Sequence, residues 1–271
     1  MDKLYVLGTG NATVTRCYNT CFALKPDHQE EYLLVDTGGG NGILRILEDM
    51  DIDVRRIHDI IITHEHTDHL LGVVWLIRVI AAAMKKGDYA GDLNIYCHRE
   101  LTETIRTICR LTVQGKFFAL LDDRIHLIGV DDGETRCLAG YSVTFFDIHS
   151  TKAKQYGFTA VLRDGRRLTC AGDEPYNPLC APYVEGAHWL LHEAFCLYGH
   201  RDLFRPYEKH HSTVKDACEL AARLQIPNLV LWHTEDQHLN ERKRLYLEEG
   251  KAFYTGNLYV PDDGEIIDLS R

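Results

Sequence analysis

The run Thr63-His64-Glu65-His66-Thr67-Asp68-His69 places three imidazoles and two carboxylates in seven residues, directly after the apolar triplet Ile60-Ile61-Ile62. A β-branched apolar triplet reads as a buried strand, and the polar run as the tight loop at its end. This restricts the chain to folds that carry a rigid strand end with a metal-ligand loop on it. His64 and His66 lie two apart, so on an extended backbone they project to the same side. Asp68 and His69 follow where the chain turns into a helix, and they face a second point. One metal ion needs fewer ligands than this run offers, whereas two ions use them all.

Charge and cysteine content narrow the setting. Among 271 residues, 40 acidic side chains face 30 basic ones, for a net charge of −10. That balance argues against a surface built to grip nucleic acid non-specifically, although a local basic cleft is compatible with it. Met1-Asp2-Lys3 runs straight into the strand pattern Leu4-Tyr5-Val6-Leu7, so no secretory signal is expected. The nine cysteines are an odd number, scattered along the chain, and do not read as a disulfide framework. A reducing, cytoplasmic location is expected. Cys17 and Cys21 are the closest pair but lack a second pair to complete a tetrahedral metal site. The stretch Leu70 to Met84 is apolar apart from Arg78, yet shorter than the ~20 residues that span a bilayer. It is expected as a helix buried against a sheet or a second subunit. A homodimer is therefore a hypothesis here, and no membrane partner is expected.

Strand and helix signals alternate along the chain. Apolar strand patterns recur at 32–35, 60–62, 93–96, 143–146, 168–171, 189–191 and 229–232. A helix capped by Ser212 or Thr213 carries Val214, Ala217, Cys218, Ala221 and Leu224 at helical spacing before Pro227 stops it. Asp131-Asp132-Gly133, Arg163-Asp164-Gly165 and Asp262-Asp263-Gly264 read as turns of hairpin-like pairs. With no linker or repeat, residues 1–271 read as one α/β domain with a mixed strand arrangement. Polar residues keep appearing where these strands end: His149, Asp173, His192-Glu193 and His233. Open α/β sheets place their sites at such strand ends.

Taken in order, these segments resemble a known family. His64-Glu65-His66-Thr67-Asp68-His69 is similar to the signature of the metallo-β-lactamase superfamily, and the later segments resemble its ribonuclease Z branch. Leu7-Gly8-Thr9-Gly10 and Val35-Asp36-Thr37-Gly38-Gly39-Gly40 resemble that branch's opening turn and aspartate–glycine loop. His192-Glu193-Ala194-Phe195 is similar to its His-Glu-Ala-Thr segment. His211-Ser212-Thr213 resembles its His-Ser-Thr segment, and Leu231-Trp232-His233-Thr234 its closing Leu-Thr-His. The resemblance implies an α/β fold of the metallo-β-lactamase type, an αβ/βα sandwich of two mixed sheets flanked by helices.

It also implies a ligand set. His64, His66 and His149 would hold one ion, Asp68, His69 and His233 the other, and Asp173 would bridge them. Imidazole and carboxylate donors suit two divalent ions, with zinc expected and manganese or iron also compatible. Two such ions can share a hydroxide as nucleophile and stabilise the attacking and leaving oxygens of an in-line displacement. Asp68, beside that water, can accept its proton. In the resembling branch Glu193 and His211 form a dyad that protonates the leaving oxygen or contacts the scissile phosphate. Asp36 and Thr63 are read either as groups that orient ligand imidazoles or the loop beneath them, or equally as partners in a simple turn-stabilising hydrogen bond. The glycines at 38–40 admit a phosphate cradle, and equally a loop passing close beneath the metals. The remaining histidines read as surface or structural residues.

The chain departs from the branch in two places. Transfer-RNA-maturing members carry a long arm after the position of His149, whereas here only a short segment and one hairpin separate His149 from Asp173. Phe195 stands where the branch has threonine. The expected function is therefore a dinuclear metal-dependent hydrolase, a phosphodiesterase for a small or accessible phosphodiester. The alternative is a ribonuclease Z-type transfer-RNA 3′ endonuclease, so RNA is a less favoured partner. A third reading, of another class, is a catalytically inactive metal-binding regulator.

Overall fold

The computed structural model describes residues 1–270. The strands are β1 (Lys3–Gly8), β2 (Cys21–Lys25), β3 (Tyr32–Val35), β4 (Ile57–Ile61), β5 (Leu93–His98), β6 (Ile125–Val130), β7 (Thr135–Leu138), β8 (Tyr141–Asp147), β9 (Tyr156–Val161), β10 (Arg167–Cys170), β11 (Trp189–Glu193), β12 (Asn228–Trp232), β13 (Asn257–Tyr259) and β14 (Ile266–Asp268). They form two seven-stranded sheets, ordered β14-β1-β2-β3-β4-β5-β6 and β13-β12-β11-β10-β9-β8-β7. Both are mixed. The runs β3 to β6 and β10 to β13 are parallel, while β1, β2, β7, β8, β9 and β14 pair antiparallel with their neighbours.

The helices are α1 (Gly42–Asp49), α2 (Thr67–Leu70), α3 (Gly72–Lys86), α4 (Arg99–Thr112), α5 (Gly115–Phe118), α6 (Ala181–Val184), α7 (Arg201–Phe204), α8 (Val214–Arg223) and α9 (Leu239–Gly250). Successive residues of a central strand reach different cores, because side chains alternate across a sheet. Ile60 and Ile62 join a core with Val73, Leu76, Ile77 and Ile80 of α3. Ile61, between them, joins Phe22, Phe145, Phe158, Trp189, Leu191 and Trp232 between the sheets, where Phe22 stacks on Trp232 with ring centroids 4.7 Å apart. Leu190, Leu229 and Leu231 pack outward against Val214, Ala217 and Cys218 of α8. With both faces covered, the parallel strands carry apolar residues pointing both ways, which is why they read so clearly in the sequence. The expected αβ/βα sandwich is the architecture found.

The expected helix from Leu70 to Met84 is two helices, broken at Leu71. The cause is a tight fit: Gly72 N donates to Gly38 O at 2.9 Å, and a Cβ on Gly72 would lie 2.0 Å from the Thr37 carbonyl oxygen. α3 buries one face against the first sheet, as its apolar stripe requires, and leaves Trp75 40% exposed on the other. The capping expectation at Ser212 or Thr213 resolves to Thr213, which forms a reciprocal capping box with Asp216.

Of the expected hairpin turns, only Arg163-Asp164-Gly165 closes a hairpin, between β9 and β10. Asp131-Asp132-Gly133 and Asp262-Asp263-Gly264 instead carry the chain from one sheet to the other. Gly133 and Gly264 have φ of 76° and 84°, so the sequence marks where the chain turns, whereas packing decides which strands pair afterwards. Residues 148–155 alone connect β8 to β9.

Gly72 yields a direct prediction. Gly72→Ala forces backbone against backbone and should lower unfolding stability by about 1–3 kcal/mol, read as an earlier midpoint in urea. It should also weaken metal uptake, because the displaced segment joins Thr37 to His69. An unchanged midpoint would contradict the close approach.

Candidate metal centre

The carboxyl ends of β3 and β4 in one sheet and of β10, β11 and β12 in the other open toward the same place. Past β4, Thr63 turns the chain and His66 enters α2 in extended conformation, with φ of −61° and ψ of 146°. Past β10 comes Asp173, past β12 comes His233, and β11 itself ends on Glu193. Their donor atoms fall into three groups, each within 4.8 Å: His64 with His66 and Asp173; Asp68 with His69 and His233; and Glu193 with His211 and His233. Asp173 Oδ2 lies 3.7 Å from His64 Nε2, 3.6 Å from His69 Nε2 and 3.5 Å from His233 Nε2. It therefore stands between the first two groups. Asp68 Oδ2 lies 3.3 Å from His69 Nε2 and 3.4 Å from His233 Nε2.

Asp36 decides how the imidazoles point. Its carboxylate accepts from Thr63 N at 2.8 Å, from Thr63 Oγ1 at 2.8 Å and from His69 Nδ1 at 2.7 Å. The Thr63 hydroxyl has one proton and gives it to Asp36, so toward His64 Nδ1, 2.9 Å away, it accepts. Both His64 and His69 thus carry their proton on Nδ1 and turn the Nε2 lone pair toward Asp173. That is the tautomer a metal requires. The expected orienting role of Asp36 and Thr63 matches these contacts.

Electrostatics favour a cation here. Asp173 is buried, which by itself raises a carboxyl, yet His64, His69 and His233 hold it well below the usual carboxylate range. Asp68 behaves alike: burial opposes ionisation, and the neighbouring His233 and His69 imidazoles lower it nonetheless. Burial also resists charging His69, but Asp36, Asp173 and Asp68 raise it well above its ordinary value. His64 goes the other way, lowered chiefly by burial despite Asp173 nearby. Among the described residues, His69 Nε2 and both ring nitrogens of His233 are buried without hydrogen-bond partners. Buried orphaned lone pairs beside ionised carboxylates suit divalent ions, so the residues fit the implied metals.

One expected ligand is placed elsewhere. His149 is exposed and belongs to none of the three groups. Its backbone is left-handed, with φ of 58°, and its amide donates to Asp147 Oδ1 at 2.7 Å. A strand-end pattern locates the residue but cannot report such a turn, and the ring comes out facing solvent.

The dyad residues do meet. His211 Nδ1 lies 3.5 Å from Glu193 Oε2, and Glu193 Oε1 accepts from Ser212 N. Glu193 is fully buried and His211 7% exposed. The His211 ring stacks on Phe195 at 4.9 Å and tilts toward His233 at 5.2 Å.

Asp68, Asp173, His211 and His233 line a cavity of about 460 Å³ together with Asn11, Lys152, Phe195 and Lys209. The larger cavity, about 680 Å³ around Arg16, Tyr18 and Arg45, lies away from this chemistry. Sequence reasoning missed Asn11 and both lysines, since nothing local marks them. It also missed Arg242, a fully buried guanidinium that donates to Thr9 Oγ1 at 2.9 Å and Thr234 Oγ1 at 2.8 Å. Arg242 thereby ties the His233 loop to the turn bearing Asn11, yet in the sequence it sits in a charged helix that reads as a solvated face. Glu174 was missed too. It accepts from Ser150 Oγ at 2.6 Å, joining the segment after His149 to Asp173.

Comparison with known proteins agrees with this geometry. Ribonuclease Z of Parabacteroides distasonis is 24% identical over 276 residues, covering 84% of this chain and 87% of that protein. Ribonuclease Z of Thermococcus kodakarensis is 26% identical over 320 residues, covering 98% and 95%. Among solved structures, the metallo-β-lactamase fold protein YhfI from Bacillus subtilis superposes with a TM-score of 0.77 at 17% identity, covering 98% of each chain. The short form of human tRNase Z superposes at 0.74 with 21% identity, covering 100% of each. The family described as "Anti-Pycsar protein Apyc1" matches residues 2–252. With that match spanning nearly all of its length, the chain belongs to the Anti-Pycsar protein Apyc1 family, and its fold is that of the metallo-β-lactamase fold protein YhfI.

Proposed function

We propose that this protein is a dinuclear metal-dependent phosphodiesterase acting on a small or accessible phosphodiester. The observation that carries the reading is the buried Glu193–His211 pair set against His233, a metal-ligand candidate. Hydrolysis of a β-lactam or thioester has no need of an imidazole reserved for an alkoxide leaving group. His64, His66 and Asp173 would hold one ion, and Asp68, His69 and His233 the other, with Asp173 shared. When bound, two divalent ions supply a water activated near neutral pH and charge stabilisation for phosphoryl oxygens.

The chain's own groups handle the protons. Asp68 can accept one from the attacking water. His211 points Nδ1 at Glu193, which leaves Nε2 to protonate the departing oxygen. Phe195 packs flat on the His211 ring and restricts its tilt. The cavity, about 460 Å³, has the size of a small-ligand site. The family description adds an anti-Pycsar setting, which we carry to this chain as part of the proposal.

The names of the relatives favour a second reading, a ribonuclease Z-type endonuclease. Two features count against it. The β8–β9 connection is confined to residues 148–155, and the net charge of −10 offers no extended basic surface. An inactive metal-binding regulator would tolerate loss of the Glu193–His211 pair, and that pair is present and buried.

Three outcomes test the proposal. Purified protein should hold about two metal ions per chain by elemental analysis, and chelation should abolish diester hydrolysis until metal is restored. Activity that survives complete metal removal would sink the mechanism. Asp173→Ala should lower both metal content and turnover, because it takes away the oxygen facing both ligand groups; retention of either removes Asp173 from the shared position. His211→Ala should keep its metals while kcat falls by ~10²–10⁴, and an unaltered kcat would exclude it as the acid.

A further inference from the structure

His233 is held differently from the other candidate ligands. His64 Nδ1 lies 2.9 Å from the Thr63 hydroxyl and His69 Nδ1 2.7 Å from Asp36 Oδ2, so each ring is oriented through its second nitrogen. His233 turns Nε2 toward Asp68 Oδ2 at 3.4 Å and Asp173 Oδ2 at 3.5 Å. Its Nδ1, however, is buried with no hydrogen-bond partner among the described residues. The His69 and His211 rings, 5.5 Å and 5.2 Å away, limit its tilt but supply no directional bond. The His233 backbone is left-handed, with φ of 55°, a conformation that surrounding contacts must enforce. The direction of this imidazole therefore has to come from the chain beside it.

The next residue supplies that hold. Thr234 N donates to the Thr9 carbonyl oxygen at 3.0 Å, and the Thr234 carbonyl oxygen accepts from Asn11 N at 3.0 Å. Arg242 closes the arrangement from α9. Its Nη1 donates to Thr234 Oγ1 at 2.8 Å and to Thr9 Oγ1 at 2.9 Å, and its Nη2 to Pro261 O at 2.8 Å and Asp262 Oδ1 at 2.9 Å. The Thr9 hydroxyl gives its own proton to Asp263 Oδ1 at 2.7 Å, so it is free to accept from the guanidinium. Arg242 is fully buried, a place that a cation occupies only where its bonds offset the lost hydration. We propose that Arg242 is a positioning residue for one of the two metal-ligand groups. By clamping Thr234 to the turn from Thr9 to Asn11, it keeps His233 left-handed with Nε2 toward Asp68 and Asp173. It thereby sets the affinity of the Asp68–His69–His233 group for its ion. The group of His64, His66 and Asp173 is indifferent to it, because none of the Arg242 hydrogen bonds reaches the segments that carry those residues. This inference rests on the two-ion reading of the same site.

Zinc ion titrated into the metal-free protein against a chromophoric chelator tests this with no substrate present, and reads one Kd for each ion. His66→Ala and His233→Ala mark which binding step belongs to which group. Thr234→Val is the milder variant: it removes the hydroxyl that Arg242 grips and leaves the guanidinium its other bonds. Arg242→Lys keeps the charge but gives up the planar fork that reaches both threonine hydroxyls and Asp262 at once. In both variants the step assigned to His233 should weaken by about 10–100-fold, the usual effect of losing a group that orients a ligand, while the step assigned to His66 keeps its parent Kd. A merely structural role would loosen both steps together. An unchanged His233 step in either variant, or both steps weakened alike, would overturn the proposal. A parent chain that binds a single ion would overturn the two-ion reading itself, and this proposal with it.

Discussion

The Asp36 carboxylate sets the chemistry of the site without needing to touch a metal or a substrate. It accepts a hydrogen bond from His69 Nδ1 directly and fixes His64 through the Thr63 hydroxyl, so one group selects two tautomers. It also closes the Thr63 turn by accepting that residue's amide, which joins the end of β3 to the loop after β4. Asp36 has φ of 54°, an uncommon backbone for a residue other than glycine, and its amide is held by the Ile61 carbonyl. Local conformational cost at one residue is thus offset by ordering two imidazoles with their lone pairs toward Asp173.

From there the site follows from the way two sheets meet. Candidate ligands of the first sheet come from one short loop, and those of the second come singly from successive parallel strands. Neither sheet holds a complete set, and Asp173 Oδ2 is the atom where the two halves face each other. Several buried polar atoms at this meeting point lack partners. At about 1–3 kcal/mol each, their cost is comparable with the roughly 5–15 kcal/mol of net stability of an ordinary domain. Divalent ions held there would offset that cost and couple metal occupancy to stability. The buried Glu193–His211 pair sits beside this meeting point, with the His211 ring 5.2 Å from that of His233.

Much of this was legible in the chain, for identifiable reasons. The parallel strands are buried on both faces and appear as apolar runs, so the residues after them could be picked out. Asp173 and His233 were picked out in that way, and the structure brings them together with the loop from His64 to His69. The pattern failed at His149, because the turn after β8 is left-handed and no strand-end rule encodes it. It also misjudged two aspartate–glycine turns, which cross between sheets instead of closing hairpins. Asn11, Lys152, Lys209 and Arg242 gave no local signal at all. Each matters through what it meets across the molecule, over separations in sequence that periodicity does not reach.

The most direct measurement is a parallel assay of the metal-loaded protein on bis(4-nitrophenyl) phosphate, cyclic nucleotides, a precursor transfer RNA, a β-lactam and a thioester. The arrangement of His211, Glu193 and the metal ligands predicts hydrolysis of small diesters, with the β-lactam and thioester left intact. Cleavage of the transfer RNA alone, or of the β-lactam alone, would contradict it.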